Sequence, residues 1–372
     1  MASEPGPAVA ASTAPLPGGS STWQRRLRRW GPYPFELATV AAVLLAAGVL
    51  RSRGLRMDWR TFEYIVAPVL PLFPKALAAG IALQLVYRGL RRQPLRGYLR
   101  EVARLPWLLL WTRLLLAAVL MTYGYFWLKV SIPLVNPRLW DAELWQLDRA
   151  LHLGISPSLF VANLCAGTPL VGVIDRWYGA WVSTVFYTLA FFSAAVDPLL
   201  RRRFLLSCVL LWTFGSWLYM ALPALGPVYV APAAYEEVLV DMPRARAGQE
   251  ALRENYQRML EGRRTGVLAS FKPTRGIAAM PSLHVGAHFL FFLWARRRAR
   301  PLRLLFALAT AFTFIGSLLS GWHYAVDGYV GLLLAWGCFR LALWGERDLP
   351  LPEQPHVGPL DVGVAGGGER LE

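Results

Sequence analysis

The sequence predicts an all-α fold, a polytopic bundle of membrane-spanning helices, on three observations. The 372 residues are 55% hydrophobic, with a mean hydropathy of +0.38. Several apolar runs approach the roughly 20 residues that an α-helix needs to cross a bilayer. Beside these runs stand eighteen arginines and one acidic residue, in segments 25–29, 88–104, 201–203 and 296–303. Such clusters are typical of cytoplasmic loops, so the net charge of +16 requires no nucleic acid partner.

Hydropathy predicts about eight spans in this bundle. In chain order they cover 35–50, 63–87, 105–129, 174–196, 203–222, 280–296, 303–320 and 324–344. Two other segments have the helical spacing of apolar residues without the length of a span. Segment 140–151 predicts a helix in the membrane interface, whereas 247–261 predicts an amphipathic helix that either caps the bundle or packs on its side.

The arginine clusters also predict the orientation of the spans. If the N-terminus is cytoplasmic, the basic loops 88–104, 201–203 and 296–303 all lie on the cytoplasmic side. Loops 131–173 and 223–279, together with the turn that precedes the last span, then lie on the opposite side. We therefore expect a multi-pass protein of the cell membrane that exposes these loops on the extracytoplasmic face.

Two short motifs place a histidine at the edge of a predicted span. Segment 280–284 is Met-Pro-Ser-Leu-His, and segment 321–327 is Gly-Trp-His-Tyr-Ala-Val-Asp. One descending and one ascending span separate them, so His284 and His323 return to the same face of the membrane. Asp327 follows His323 by four residues, which on a helix places the carboxylate under the imidazole. A histidine oriented by a carboxylate and facing a second histidine is typical of phosphoryl or acyl transfer.

The residues around the first motif predict an anion site. Pro281 fits the first position of a helix, where unpaired backbone N–H groups and the helix dipole attract a phosphate. Ser282 stands beside them, and Lys272 and Arg275 bring positive charge just upstream. A plain structural role stays open, in which the segment starts a span and its basic residues contact lipid headgroups. The histidines and the three cysteines form no metal-binding motif, so we expect no metal and no cofactor.

These residues resemble the type 2 phosphatidic acid phosphatase superfamily, in which Pro-Ser-x-His and His-x-x-x-Asp each open a transmembrane helix. Met-Pro-Ser-Leu-His and His-Tyr-x-x-Asp are most similar to its inositol phosphorylceramide synthase-like phosphotransferase branch. The Asp141-x-x-Leu-x-x-Leu-Asp148 stretch and the Pro-Ala-Leu-Gly-Pro run at 223–227 are similar to that branch as well. The resemblance covers roughly 105–344 and leaves out the first two spans.

The resemblance implies roles for the site residues, and together with composition and hydropathy it predicts a division of the chain. His323 is expected to attack phosphorus while Asp327 orients its ring. His284 is expected to protonate the leaving oxygen and then to deprotonate the acceptor, and Ser282 to contact the phosphate. The chain then divides into a disordered, basic cytoplasmic segment 1–34, two additional transmembrane helices 35–103, a catalytic core 104–345 of six helices, and a disordered tail 346–372.

Two motifs of the phosphatases are missing where the resemblance places them. Gly226-Pro227-Val228-Tyr229 occupies the region of the motif Lys-x6-Arg-Pro, and Gly316-Ser317 stands where the phosphatases have Ser-Arg. The absence of these two motifs favours an inositolphosphotransferase-like enzyme, an integral membrane lipid phosphotransferase. Its substrates would be a phospholipid or polyprenyl-phosphate and an alcohol acceptor such as inositol. A phosphatase that hydrolyses a lipid phosphate or a polyprenyl pyrophosphate stays open. So does a non-enzymatic transporter or lipid-binding protein with a decayed site.

Overall fold

The computed structural model describes residues 31–55, 71–265 and 276–345, and in these ranges the chain forms fifteen α-helices and no β-strand. The all-α prediction is therefore confirmed. The helices are α1 (Pro34–Ser52), α2 (Leu72–Leu90), α3 (Leu95–Val102), α4 (Leu105–Val135), α5 (Asp141–Leu151), α6 (Pro157–Cys165), α7 (Pro169–Gly179), α8 (Trp181–Ser193), α9 (Pro198–Ala221), α10 (Pro227–Val230), α11 (Glu236–Val240), α12 (Pro243–Thr265), α13 (Leu283–Arg298), α14 (Arg303–Leu319) and α15 (Ala325–Trp344).

Five of the described helices are long and apolar enough to cross a membrane. They are α1, α4, α9, α14 with the turn that precedes it, and α15. The chain is therefore a multi-pass membrane protein. Helix α8 is apolar but shorter. The predicted second span, 63–87, lies partly outside the described residues, and its described part belongs to α2, which begins at Leu72.

The predicted span 174–196 is two helices. Helix α7 ends at Gly179, Ala180 separates the two, and α8 begins at Trp181. A Cβ atom at Gly179 would lie 2.9 Å from Cδ of Arg244, so the small residue admits the start of α12 at the break. Hydropathy cannot detect this interruption, because the residues on both sides of Gly179 are apolar enough for one continuous run.

The bundle is centred on α9, which packs against α1, α4, α13 and α15. Helix α13 packs in turn against α14 and α15. We call the end of the bundle that carries His284 and His323 the histidine end, and the opposite end, with Arg201 and Arg298, the arginine end. At the arginine end Arg201 is buried, stacks on the Trp107 ring and donates a hydrogen bond to the Trp107 carbonyl. Helix α13 connects the two ends.

Candidate active site

His323 lies in the tight turn between α14 and α15. The backbone N–H groups of Trp322 and His323 both donate to the Ser317 carbonyl, at 3.1 and 3.2 Å. Gly321 makes the turn with a φ of +68°, and a Cβ there would lie 2.8 Å from the Tyr235 ring and 2.9 Å from Val228. Only glycine meets both demands. The backbone of the turn therefore fixes where the imidazole begins.

Two acceptors hold the same nitrogen of the His323 ring. Nδ1 lies 2.8 Å from the carbonyl oxygen of Ala279 and 3.4 Å from Oδ2 of Asp327. A carbonyl oxygen only accepts hydrogen bonds, so Nδ1 carries the proton and Nε2 keeps its lone pair. Both side chains are buried. This arrangement leaves Nε2 as the nucleophilic atom of the ring.

His284 stands in the first turn of α13, opposite His323. The ring centroids are 6.0 Å apart. Ser282 is the N-cap of α13, its backbone N–H donates to the Asp327 carbonyl at 2.9 Å, and its hydroxyl accepts from the Val285 N–H at 3.5 Å. The structure thus brings together four of the residues predicted from the sequence. It gives Ser282 a structural contact to the segment that carries Asp327.

Two aromatic side chains enclose the His284 ring. Tyr178, next to the last residue of α7, stacks on it with centroids 5.0 Å apart and an interplanar angle of 25°. Trp181, the first residue of α8, lies at 4.2 Å. These two residues flank the break at Ala180, so the interruption of the predicted span is what turns both rings toward the histidine. The sequence pattern did not predict either contact.

The predicted phosphate-binding residues Lys272 and Arg275 lie outside the described residues. Another cation, Lys129, lies near the end of α4. Its carbonyl oxygen lies 2.6 Å, and its Cγ 2.8 Å, from where a Cβ of Gly276 would be, so α4 adjoins the segment that leads to the first motif. Lys129 is therefore a cation that the described residues bring next to the segment before Ser282.

A sequence signal for Lys129 was present. Lys129, six intervening residues, Asn136 and Pro137 reproduce the spacing of Lys-x6-Arg-Pro, with asparagine in the arginine position. The motif is missing at residues 226–229, where the resemblance places it, and its spacing recurs in segment 129–137. Asn136 is structural here, because its side-chain N–H donates to the Met220 carbonyl at 2.9 Å and holds the end of α4 against α9.

Three buried carboxylates at the histidine end each accept hydrogen bonds from two backbone N–H groups of another segment. Asp148 accepts from Ala325 and Val326, at 3.1 and 3.0 Å, and so caps α15 directly after the His323 turn. Asp175 likewise accepts from the first turn of α12, with Ala245 N at 2.9 Å. Burial raises the pKa of the Asp148 carboxyl, and the backbone donors act in the opposite direction.

Asp141 is the third of these carboxylates. It accepts from the N–H groups of Leu225 and Gly226, the latter at 2.8 Å, and from the Tyr324 hydroxyl at 3.0 Å. The Ala224 carbonyl then accepts from Ala279 N at 3.3 Å. Hydrogen bonds therefore connect Asp141 of α5, through the segment 224–226, to Ala279, whose carbonyl oxygen holds the His323 ring. Segment 140–151 was predicted as a helix in the membrane interface, and in the structure its Asp141 and Asp148 carboxylates are buried and bind backbone N–H groups.

In the parts of the chain that the structure describes, no group of three or more His, Cys, Asp or Glu side chains is arranged to hold a metal ion. His288, one turn after His284, is buried, and its Nδ1 lies 3.0 Å from the Thr313 hydroxyl. That contact fixes the ring within the bundle.

A model of the PAP2 superfamily matches residues 142–341, which include both histidines, Ser282 and Asp327. No curated protein and no solved structure is similar enough to the chain to give a match. Lys129 and Asp141 lie before the matched range.

Proposed function

The chain belongs to the PAP2 superfamily, and from this premise we propose that it is a membrane lipid phosphotransferase that works through a phosphohistidine on His323. The family makes the chain an enzyme of the phosphatase or phosphotransferase type that acts on lipid phosphates. One observation carries the finer proposal. Nδ1 of His323 is committed to the Ala279 carbonyl and to Asp327, which leaves Nε2 free beside a second histidine.

The reaction has two displacements at phosphorus. Nε2 of His323 attacks the phosphorus of the lipid, the bond from phosphorus to the leaving oxygen breaks, and His284 gives that oxygen a proton. In the second step His284, now neutral, acts as the base. It takes the proton of the acceptor hydroxyl, whose oxygen attacks phosphorus and breaks the P–N bond. Asp327 stabilises the positive charge that develops on the His323 ring.

The phosphate oxygens need cations, because phosphoryl transfer depends mainly on positioning and charge stabilisation. We assign this role to Lys129, whose carbonyl and Cγ lie beside Gly276 in the segment that leads to Ser282. Lys272 and Arg275 remain proposed partners, since they precede Pro281 by few residues.

The inositol phosphorylceramide synthase-like branch remains the closest interpretation of the sequence motifs. We propose a phospholipid or polyprenyl-phosphate donor, an alcohol acceptor such as inositol, and a site that faces the extracytoplasmic side of the cell membrane. The arginine clusters support that orientation, since α13 ends in Arg296, Arg297 and Arg298 at the end opposite the histidines. Hydrolysis by the same intermediate is the alternative, because His284 can activate water equally well.

The proposal is tested by trapping the intermediate. Purified protein is mixed with ³²P-labelled phosphatidic acid, phosphatidylinositol phosphate or polyprenyl pyrophosphate, quenched in alkali and digested. We expect an acid-labile, alkali-stable label on the peptide that contains His323. His323→Ala should abolish the label, whereas His356→Ala, in the C-terminal tail, should leave it unchanged. Turnover without any labelled protein, or full activity of His323→Ala, would refute the proposed function.

A further inference from the structure

Three polar atoms beside the acid/base histidine have no hydrogen-bond partner within the described residues. They are the Tyr178 hydroxyl, Nε1 of Trp181 and Nδ1 of His284, and all three atoms are buried. Buried polar atoms are paired in most native structures, because an unmade hydrogen bond in a low-dielectric interior is costly. Three such atoms, on the His284 ring and on the two rings that pack against it, therefore indicate a place for a polar ligand.

The rings themselves restrict what that ligand is. Tyr178 and Trp181 pack against His284 with centroids 5.0 and 4.2 Å away, so they limit the access of bulk water to the imidazole. Both rings also offer apolar surface to a carbon skeleton. The Trp181 N–H can only donate, while the Tyr178 hydroxyl can donate and accept. Together these groups suit a hydroxyl group attached to carbon better than a lone water molecule.

We infer that Tyr178 and Trp181 form the binding site of the alcohol acceptor and decide whether the phosphoenzyme is consumed by transfer or by hydrolysis. The inference rests on the proposed function. In the step concerned, the acceptor hydroxyl gives its proton to His284, its oxygen forms a bond to phosphorus, and the bond from phosphorus to Nε2 of His323 breaks. The break between α7 and α8 is the structural device that supplies both side chains.

Packing next to the break between α7 and α8 connects this site to the backbone that carries His323. Tyr178 also packs near Gly316, where a Cβ would lie 3.3 Å from its ring. Gly316 belongs to α14, one residue before the Ser317 carbonyl that fixes the His323 turn. Tyr178, which packs on the His284 ring, therefore also packs against the helix that leads to the His323 turn. An acceptor held by Tyr178 and Trp181 would be presented on the side of the general base.

The test measures how one intermediate divides between two acceptors. Tyr178→Phe and Trp181→Phe keep an aromatic ring and remove the O–H or N–H. Protein is labelled with the ³²P donor that gives the most phosphohistidine and is then supplied with glycerol or inositol at increasing concentration. The ratio of phospho-alcohol to inorganic phosphate is read from each reaction. Tyr187→Phe, an exposed tyrosine on the same helix α8, is the matched control.

We expect each site variant to lower the transfer-to-hydrolysis ratio by about tenfold, as for loss of one specific hydrogen bond to a substrate, while labelling of His323 changes by less than about threefold. Tyr187→Phe should match the wild type. A general packing defect would slow labelling and both products together, which would overturn the inference. Label that passes only to water at every alcohol concentration would also overturn it, and would leave a phosphatase. Absence of any label would instead refute the proposed function.

Discussion

Replacing Asp327 by asparagine separates two contributions of the carboxylate to catalysis, charge and ring orientation. An amide oxygen can keep the contacts of Oδ2 with Tyr324 N and with the His323 ring, at 2.9 and 3.4 Å. The negative charge alone is lost. Because the Ala279 carbonyl still holds Nδ1–H, the ring should keep both its tautomer and its direction.

The magnitude follows from the distance. Unit charges 3.4 Å apart attract by about 5 kcal/mol at an effective dielectric constant of about 20. If about half of the imidazolium charge has developed in the transition state, the carboxylate lowers the barrier by about 2.5 kcal/mol, and its loss slows the reaction by about 10²-fold. A triad in which the carboxylate alone fixes the tautomer loses about 10⁴-fold on the same change.

Single-turnover labelling of His323 is the appropriate assay, because it isolates the first displacement from product release. The matched control is Asp197→Asn, since Asp197 caps α9 at the arginine end and asparagine caps helices equally well. Thermal unfolding checks that both variants fold. A loss of about 10⁴-fold in folded protein would refute the role given to the Ala279 carbonyl. A loss below about threefold would refute the role given to the charge of Asp327.

Three further outcomes are expected. Lys129→Gln should lower kcat/KM about 10- to 100-fold on both a membrane lipid and a short soluble analogue, because a charged contact to phosphate is lost. The control Arg246→Gln, at an exposed position, should leave kcat/KM unchanged. The same two substrates test Lys272→Gln and Arg275→Gln, and a loss confined to the membrane lipid would identify these residues as contacts to lipid headgroups. Asp148→Asn should lower kcat about tenfold with little change in KM, because one backbone N–H at the start of α15 loses its acceptor. If the fraction of folded protein, measured by thermal unfolding, falls as much as kcat, the effect is one of stability alone. Activity should persist in EDTA, and its abolition with recovery on adding a divalent cation would contradict the assigned chemistry.

The meeting of the two histidines was predictable because it depends on topology. Two consecutive spans return the chain to the same end of the bundle, and the turn at the arginine end has the basic residues expected there. The relation of His323 to Asp327 was predictable as well, since it follows from helical periodicity. Both inferences use only local spacing and the length of a span.

The groups that orient and enclose the site come from segments far apart in sequence. The Ala279 carbonyl belongs to backbone, so no side chain marks it, and its contact with His323 spans 44 residues. Asp148 caps a helix 177 residues later. Tyr178 and Trp181 reach His284 only because the chain breaks between α7 and α8, which an apolar run conceals. Lys129 was detectable from its spacing to Pro137, and was missed because the motif was sought closer to the histidine.

The stereochemistry at phosphorus tests the two-step account most directly. A donor lipid whose transferred phosphorus is made chiral with sulfur and oxygen isotopes is converted by the enzyme, and the configuration of the product is determined by NMR. Each in-line displacement inverts the phosphorus, so transfer to His323 followed by transfer to the acceptor predicts net retention. Net inversion would mean that the acceptor attacks the lipid directly, and it would contradict a phosphohistidine on His323.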